Sequence, residues 1–320
     1  MALERFEERL TNPPGQGDPG LYVDLVGLKK AAMFDIGENT LSPGELTRVR
    51  ALFISHTHID HWIGFDRLLR VILGSEREVH IYGPPGMADF VRHRIHGYVW
   101  NLTFEDHVRF FVHELAGDTF HVVELSLEDR FQTVRDHGQS EPHQGVAHRG
   151  DGYRVEFAEL DHTTPCLGWA FVEEDRYSFD LDRLTAAGMK PGPELAHLKA
   201  RFLAGEDPLR AQTLGEFQPG RRVAYVTDTA LTPKSVEAVC RLARNAEVLY
   251  CEATYPDEDL EKATAVGHLT GGQCGALARA ASVKELVPFH FSRRYAQDPS
   301  QILSDIEEGR AGRREWIPGI

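Results

Sequence analysis

Residues 56–61 (HTHIDH) place three histidines and one aspartate within six positions. In an extended chain His56 and His58 lie on the same side, because side chains two positions apart share one face of a strand. Both can therefore reach one metal ion, while Asp60 and His61 follow where the chain turns and can face a second ion. Imidazole and carboxylate groups suit zinc, and they also bind manganese and iron. The segment predicts a site for two zinc ions, with manganese or iron as alternative occupants.

The elements on either side predict that this segment lies at the end of a strand. An apolar stretch at 51–55 indicates a strand, and apolar residues at helical spacing from 62 to 73 indicate a helix. Ligands in open α/β sheets bind at the carboxyl ends of strands. The chain has 16 histidines, so a solvated histidine-rich turn is the alternative, but the strand-to-helix position favours metal binding.

The rest of the chain divides into a strand-rich part and a part in which strands and helices alternate. Weak periodicity with Gly and Pro at about 175–220 indicates an inserted arm, and residues 136–152 indicate a loop. The pattern fits two sheets between outer helices, in a single domain spanning 1–320. Further predicted strands are 21–26, 31–36, 79–82, 108–114, 120–125, 153–160, 167–173, 223–227, 248–251 and 286–289, and further predicted helices are 233–244, 270–281 and 299–308.

Composition restricts the class of protein and its partners. Hydrophobic residues make up 42% and charged residues 26% of the 320 residues, as in an ordinary globular protein. The net charge of −14 excludes a surface that is basic all over, so contact with nucleic acid needs a local basic patch. The acidic start MALERFEERL and the lack of a long apolar run predict a cytoplasmic protein without a membrane partner. The four cysteines form no CxxC pair, so neither a disulfide framework nor a thiolate zinc site is indicated.

An ordered set of short motifs resembles the metallo-β-lactamase superfamily and, within it, the ribonuclease Z branch. The resemblance extends from about residue 23 to 295, and the set is much more specific than any one motif. The motifs are FDIGE at 34–38, SHTHIDH at 55–61, IYGPPGM at 81–87, LDHT at 160–163, VTDT at 226–229, CEAT at 251–254, GHLT at 267–270 and HFSRRY at 290–295. The resemblance implies a four-layer αββα sandwich, with two mixed sheets flanked by helices and a protruding arm.

The resemblance also implies a role for each metal ligand. One ion would be held by His56, His58 and His162, the second by Asp60, His61 and His290, and Asp228 would bridge the two. Each later residue has an ordinary alternative: the two histidines could be satisfied at strand ends, and the aspartate could cap the helix that starts near Pro233.

A hydrolytic reaction is the implied chemistry. A hydroxide bridging the two ions would attack a phosphodiester, and Asp60 would accept its remaining proton. In the ribonuclease Z pattern a Glu–His pair, here Glu252 and His268, helps to protonate the leaving oxygen. The alternative for Glu252 is a surface carboxylate.

Three further residues are candidates for binding the substrate. The planar guanidinium of Arg294 could bind a phosphate with two hydrogen bonds. Lys190 and Lys199 belong to the arm, whose segment 189–195 (MKPGPEL) resembles the exosite with which ribonuclease Z holds the tRNA body. The same resemblance implies a homodimer.

The chain departs from the family pattern at its beginning and in two motifs. We expect no opening strand, and residues 12–18 (NPPGQGD) replace the basic loop that the family uses to read the tRNA end. Cys251 stands where histidine is common, and Ile36 and Asn39 replace the usual cysteine and glycine. The hypothesis that fits best is an endonuclease that processes the 3′ end of tRNA precursors. The alternative is a small-molecule hydrolase acting on a cyclic nucleotide, another phosphodiester, a sulfate ester or a lactone, and a third hypothesis is a non-catalytic scaffold.

Overall fold

The computed structural model describes residues 5–101, 107–190 and 192–317, in which two large β-sheets pack face to face. The first sheet has eight strands in sequence order: β1 (Arg5–Leu10), β2 (Leu21–Val26), β3 (Lys30–Phe34), β4 (Val49–Phe53), β5 (Arg77–Gly83), β6 (Val108–Ala116), β7 (Thr119–Ser126) and β8 (Val134–Gln139). Strands β3 to β6 run parallel, and the outer strands pair antiparallel. This sheet is therefore mixed.

The second sheet has six strands in the order β16-β15-β14-β11-β10-β9. These strands are β9 (Val146–Gly150), β10 (Tyr153–Leu160), β11 (Cys166–Glu173), β14 (Arg222–Val226), β15 (Val248–Glu252) and β16 (Glu285–Phe289). Strands β14 to β16 run parallel, whereas β9, β10 and β11 pair antiparallel and β11 joins β14 antiparallel. The parallel part matches the strand–helix alternation of the sequence.

Helices cover the outer faces of both sheets. They are α1 (Pro43–Leu46), α2 (Ile59–Trp62), α3 (Phe65–Ile72), α4 (Met87–His96), α8 (Pro233–Leu242), α9 (Leu260–Val266), α10 (Gly271–Ala280) and α11 (Ser300–Arg310). One apolar cluster joins α3 and α4 to the first sheet, a second lies between the sheets around Phe53 and Trp169, and a third joins α8, α10 and α11 to the second sheet. The predicted αββα sandwich is confirmed.

The segment between β11 and β14 folds around a small core of its own. Strands β12 (Arg176–Phe179) and β13 (Gly215–Gln218) pair antiparallel, with α5 (Leu181–Ala186), α6 (Pro193–Leu203) and α7 (Pro208–Leu214) between them. Its core includes the buried Tyr177, Phe202 and Leu214. Pro191 of the arm motif lies outside the described residues. We refer to residues 176–218 as the arm.

Three edge strands correct the expectations from the sequence. The chain does have an opening strand, β1, which pairs with β2 although only Phe6 among its side chains is buried. The expected loop at 136–152 contains most of β8 and all of β9, the edge strands of the two sheets. Edge strands are held through backbone pairing, and in these three Phe6 is the only buried side chain, so no apolar alternation marks them in the sequence.

None of the helices in the described part of the chain combines the length and the apolar character needed to cross a bilayer.

Candidate metal centre

The segment 56–61 lies where β4 ends and the short helix α2 begins, as the sequence predicts. His58 is the N-cap of α2 and has extended backbone angles, so the histidines before the helix lie on an extended chain. The backbone here packs tightly against the loop after β3. A Cβ atom at Gly37 would lie 2.2 Å from the carbonyl oxygen of Asp60, so only glycine fits there. This close approach fixes the position of the turn that carries Asp60 and His61.

Four of the predicted residues form one cluster. Ligand atoms of His56, His58, His162 and Asp228 all lie within 4.8 Å of one another. The Nε2 atom of His56 is 3.0 Å from Nδ1 of His58 and 3.4 Å from Oδ2 of Asp228, and Nε2 of His162 is 3.7 Å from the same oxygen. His162 follows the end of β10 and Asp228 follows the end of β14. Strand ends from both halves of the chain therefore meet at this edge of the sandwich.

The other predicted ligands form a second cluster beside the first. Asp60, His61 and His290 also offer ligand atoms within 4.8 Å of one another. Oδ2 of Asp60 is 3.2 Å from Nε2 of His290 and 3.6 Å from Nε2 of His61. The carboxylate of Asp228 lies between the clusters, since its Oδ2 is 3.4 Å from Nε2 of His61 and its Oδ1 is 3.3 Å from Nδ1 of His290. Asp228 therefore belongs to the first cluster, lies against the second, and forms a further group of possible ligands with His268 and His290.

The electrostatics of these groups differ with their surroundings. Burial lowers the pKa of His56 to about 4 and also lowers the pKa of His162, so both imidazoles are neutral and can act as ligands. Burial opposes charge on His61 and His290 too, but nearby carboxylates together outweigh it and raise the pKa of both: Asp228 and Asp35 for His61, and Asp228 and Asp60 for His290. Despite its burial, Asp228 keeps a pKa well below the usual range because His290 and His61 stabilise its charge. The site thus has a buried anion that attracts cations.

Asp35 orients His61, a role that the sequence motif alone did not reveal. Its fully buried carboxylate accepts hydrogen bonds from the backbone N–H of Ser55 at 2.7 Å and from the hydroxyl of Tyr225 at 3.1 Å. Its Oδ2 also lies 2.8 Å from Nδ1 of His61. With Nδ1–H bonded to Asp35, Nε2 is the nitrogen directed at the clusters, and it can bind a metal ion once its own proton is released, as in carboxylate–histidine–metal triads. The sequence signal that could have pointed to this role was the position of Asp35 in the FDIGE motif.

The surroundings of one buried nitrogen atom indicate whether these side chains suit a metal ion. The Nε2 atom of His61 is buried and has no hydrogen-bond partner among the described residues, although it faces Asp60 and Asp228. A buried nitrogen without a partner is unfavourable unless something else binds it. The imidazole and carboxylate set around it suits a divalent metal ion, so the residues fit the implied cofactor.

His162 is held in a similar way by a residue distant in sequence. Its Nδ1 lies 2.9 Å from the carbonyl oxygen of Gly267, which leaves Nε2 to face the first cluster. Gly267 has φ +74°, and a Cβ atom there would lie 2.9 Å from Nδ1 of His162. Glycine is therefore needed both for the backbone conformation and for the space beside the histidine.

Glu252, which is buried, and His268, which is partly exposed, form a pair at the rim of the clusters. Glu252 is fully buried, which excludes the surface carboxylate that the sequence left open. Its carboxylate accepts hydrogen bonds from the backbone N–H of Thr229 at 2.7 Å and from the hydroxyl of Thr254, and Oε2 is 3.0 Å from Nδ1 of His268. Nε2 of His268 is 3.8 Å from Oδ2 of Asp228. Burial disfavours charge on His268, but the Glu252 carboxylate prevails and raises its pKa to about 9.

The candidate substrate-binding residues do not belong to the clusters. Arg294 is exposed after the last motif, and Lys190 and Lys199 are exposed in the arm. Asp228 does not cap the following helix, because Thr232 is the N-cap of α8 and its hydroxyl accepts from the N–H of Ser235. The capping alternative for Asp228 is therefore wrong.

The loop of residues 11–20 borders the second cluster. Gln16 and Asp18 line a crevice together with His290, and Phe291 lies against Gly15. This loop contains no lysine or arginine. Its position supports a role next to the substrate, while its composition differs from the basic loop of the ribonuclease Z pattern.

Comparisons with known proteins found chains that are similar in sequence and in fold. Residues 31–179 match the model of the family described as "Beta-lactamase superfamily domain". A ribonuclease Z of Deinococcus radiodurans is 36% identical over 277 residues, which cover 83% of both chains. One of Microcystis aeruginosa is 32% identical over 87% of this chain and 81% of its own. The crystal structure of the short form of human tRNase Z has a TM-score of 0.52 at 19% identity and covers 89% of this chain and 90% of that one, which shows a common fold.

Proposed function

We propose that this chain, which belongs to the ribonuclease Z family within the β-lactamase superfamily, is a metal-dependent endoribonuclease that cleaves tRNA precursors at their 3′ end. The observation that carries the proposal is the convergence of seven ligand side chains into two clusters that meet at Asp228, beside the Glu252–His268 pair. Family membership supplies the substrate class, and the clusters supply the means for hydrolysis.

Two divalent ions, once bound, would supply an acidified water and positive charge near the phosphate. In this proposal His56, His58 and His162 hold one ion and Asp60, His61 and His290 hold the other. Asp228 belongs to both sets. Asp35 and the Gly267 carbonyl fix the ring orientations, so the ligand nitrogens face the clusters before any ion binds.

The chain's own contribution to bond cleavage comes from His268. We propose that its Nε2–H donates a proton to the leaving oxygen while Nδ1–H stays bonded to Glu252. Glu252 is a positioning residue, because its buried carboxylate is itself held by Thr229 and Thr254. Asp60, which belongs to the second cluster and is partly exposed, is placed to accept the proton of the attacking water.

The experiment that tests this proposal compares two substrates with the same protein. Protein loaded with zinc or manganese is incubated with a labelled tRNA precursor carrying a 3′ trailer, and separately with bis(p-nitrophenyl) phosphate. We expect both to be cleaved and both activities to disappear with a chelator. Cleavage of the small diester alone would favour the small-molecule hydrolase, and a chelator-resistant activity would contradict the metal site.

Replacing Asp35 by asparagine should weaken metal binding about 10- to 100-fold, because His61 loses its orienting carboxylate. Asparagine has nearly the same shape and tolerates the left-handed backbone of Asp35, φ 52°, so the fold should persist. Metal affinity is measured by competition with a chromophoric chelator. Asp24→Asn, which removes a partly buried carboxylate from β2, is the control. Equal affinity in the wild type and Asp35→Asn would exclude the orienting role.

Deleting the arm should affect the cleavage of the two substrates differently. Residues 176–219 can be removed and Asp175 joined to Gly220, because the N–H of Gly220 already donates to Asp175 at 2.8 Å. We expect turnover of bis(p-nitrophenyl) phosphate to persist, and KM for the tRNA precursor to rise at least about tenfold through lost phosphate contacts. The double substitution Lys190→Ala, Lys199→Ala should reproduce part of the effect. Unchanged tRNA kinetics would remove the arm from substrate binding.

Zinc as the metal and a homodimer as the assembly are further parts of this proposal. The histidine and aspartate set supports zinc, and membership of the family supports the dimer. Elemental analysis of the purified protein tests the metal, and light scattering with size-exclusion chromatography tests the assembly. Bound manganese or iron, or a monomer at all concentrations, would contradict the respective part.

A further inference from the structure

A cavity of about 620 Å³ opens at the end of the strands opposite to the metal clusters. It is lined by residues at the starts of β3 to β6, among them Lys30, Arg50, Arg77 and Arg109. The metal-binding segment, in contrast, follows the end of β4. The cavity is therefore separate from the candidate active site and is not used in the hydrolysis proposed above.

The charges that line this cavity are mainly positive, in a chain whose net charge is −14. Five cationic side chains line it, Lys30, Arg50, Arg77, Arg109 and Arg149, against three carboxylates. Within the described ranges, only Arg109 forms an ion pair, with Glu78. The cations are therefore not arranged to neutralise the carboxylates around them, and the cavity has an excess of unpaired positive charge.

Arg50 and Arg77 contribute most clearly to this excess of unpaired positive charge. Nη1 of Arg50 donates to the backbone carbonyls of Thr47 and Val49, both at 2.9 Å, and Nη1 of Arg77 donates to the carbonyl of Glu76 at 2.8 Å. Burial and the charge of Arg77 lower the pKa of Arg50. The Nε atom of Arg77 has no acceptor among the described residues. Each guanidinium has five N–H donors, so most of these donors lack a protein acceptor.

We propose that this cavity is a second anion site, which binds a small phosphate-bearing molecule through Arg50 and Arg77. Two guanidinium groups can each offer a planar pair of donors to phosphate oxygens. The rings of His80 and His148 also line the cavity and are partly exposed, so they offer surfaces on which a base can pack. The ligand class is therefore a free phosphate or a mononucleotide.

Isothermal titration of the metal-loaded protein with inorganic phosphate and with adenosine 5′-monophosphate tests the site and separates the two sources. Phosphate also binds near metal ions, so a component from the metal centre should remain in every variant. In Arg50→Ala, Arg77→Ala we expect the additional component to weaken at least about tenfold, because two charge-assisted contacts are lost. Tighter binding of the nucleotide than of phosphate identifies a nucleotide site, and equal binding identifies a phosphate site.

Two sets of variants serve as controls for these titrations. Arg70→Ala removes an exposed arginine from α3 and should leave both titrations unchanged. Arg50→Lys, Arg77→Lys keeps the charge without the planar donors and should bind with intermediate affinity. All variants should hydrolyse bis(p-nitrophenyl) phosphate like the wild type, which shows that they fold. Identical titrations for the wild type and the double alanine variant would overturn the proposal. It would also be overturned if the double alanine variant lost tRNA binding but bound phosphate and the nucleotide like the wild type.

Discussion

Replacing Asp228 by alanine should reduce hydrolysis at least about a thousandfold, which corresponds to about 4 kcal/mol at 1.36 kcal/mol per factor of ten. The reason is that this carboxylate lies within 3.7 Å of side chains in both clusters, so its loss affects both metal positions. It would also leave the buried histidines around it without their main source of negative charge. We expect less than two equivalents of metal per chain, measured by elemental analysis after dialysis.

A buried carboxylate outside the clusters provides the control for this change. Glu124 on β7 is 6% exposed, and its oxygens are bonded to Arg135 at 2.7 Å and to His137 at 2.9 Å. Glu124→Gln should lower stability without changing metal content or turnover. If Asp228→Ala retained full activity with one metal lost, the two-metal proposal would be wrong. His61→Ala should give the same loss as Asp228→Ala, because it removes a ligand at the centre of the second cluster.

Replacing His268 by alanine should slow cleavage of the tRNA precursor about a hundredfold or more while sparing the bound metal, as expected for loss of a general acid. The leaving oxygen of a ribose needs a proton, whereas p-nitrophenolate leaves readily without one. Hydrolysis of bis(p-nitrophenyl) phosphate should therefore fall much less than cleavage of the tRNA precursor. This dependence on the leaving group separates proton donation from a structural role, which would slow both substrates equally.

Two further variants, at Glu252 and at His121, provide a comparison for His268→Ala. Glu252→Gln keeps the shape of the side chain but removes its charge, so it should slow tRNA cleavage in the same direction and less strongly. His121, whose Nε2 lies 2.9 Å from Asp136 on the edge of the first sheet, forms a histidine–carboxylate pair away from the clusters. His121→Ala should leave both activities unchanged. Wild-type tRNA cleavage by His268→Ala would exclude the proton-donor role.

The central strands and the longer outer helices, such as α8 and α10, could be predicted because their signals are local. Helix α9 was not among the predicted helices. The strands that end at the clusters are buried on both faces and appear in the sequence as short apolar runs, such as 223–227 and 248–251. The helix expected at 62–73 is α3, which begins at Phe65 after the N-cap Gly64, and a separate short helix, α2, ends at Trp62. The edge strands β1, β8 and β9 escaped prediction because backbone pairing holds them and only one of their side chains, that of Phe6, is buried.

The ligand types, and their order along the chain, were determined by the sequence itself. The spacing in 56–61 already places four donors at one strand end, and the ordered motifs point to His162, Asp228 and His290. Local geometry suffices for the first group because strand periodicity is a property of neighbouring residues. For the three later residues, the sequence indicated membership of the set but not which atoms would approach one another.

Only the tertiary structure decided how these side chains are held. Asp35 contacts His61 across 26 positions of the chain, and Gly267 contacts His162 across 105. Such contacts depend on which strands become neighbours in the two sheets, and no local pattern of side chains encodes that pairing. The burial of Glu252 and the cationic cavity around Arg50 and Arg77 have the same origin, because each is formed by segments that meet only when the sandwich assembles.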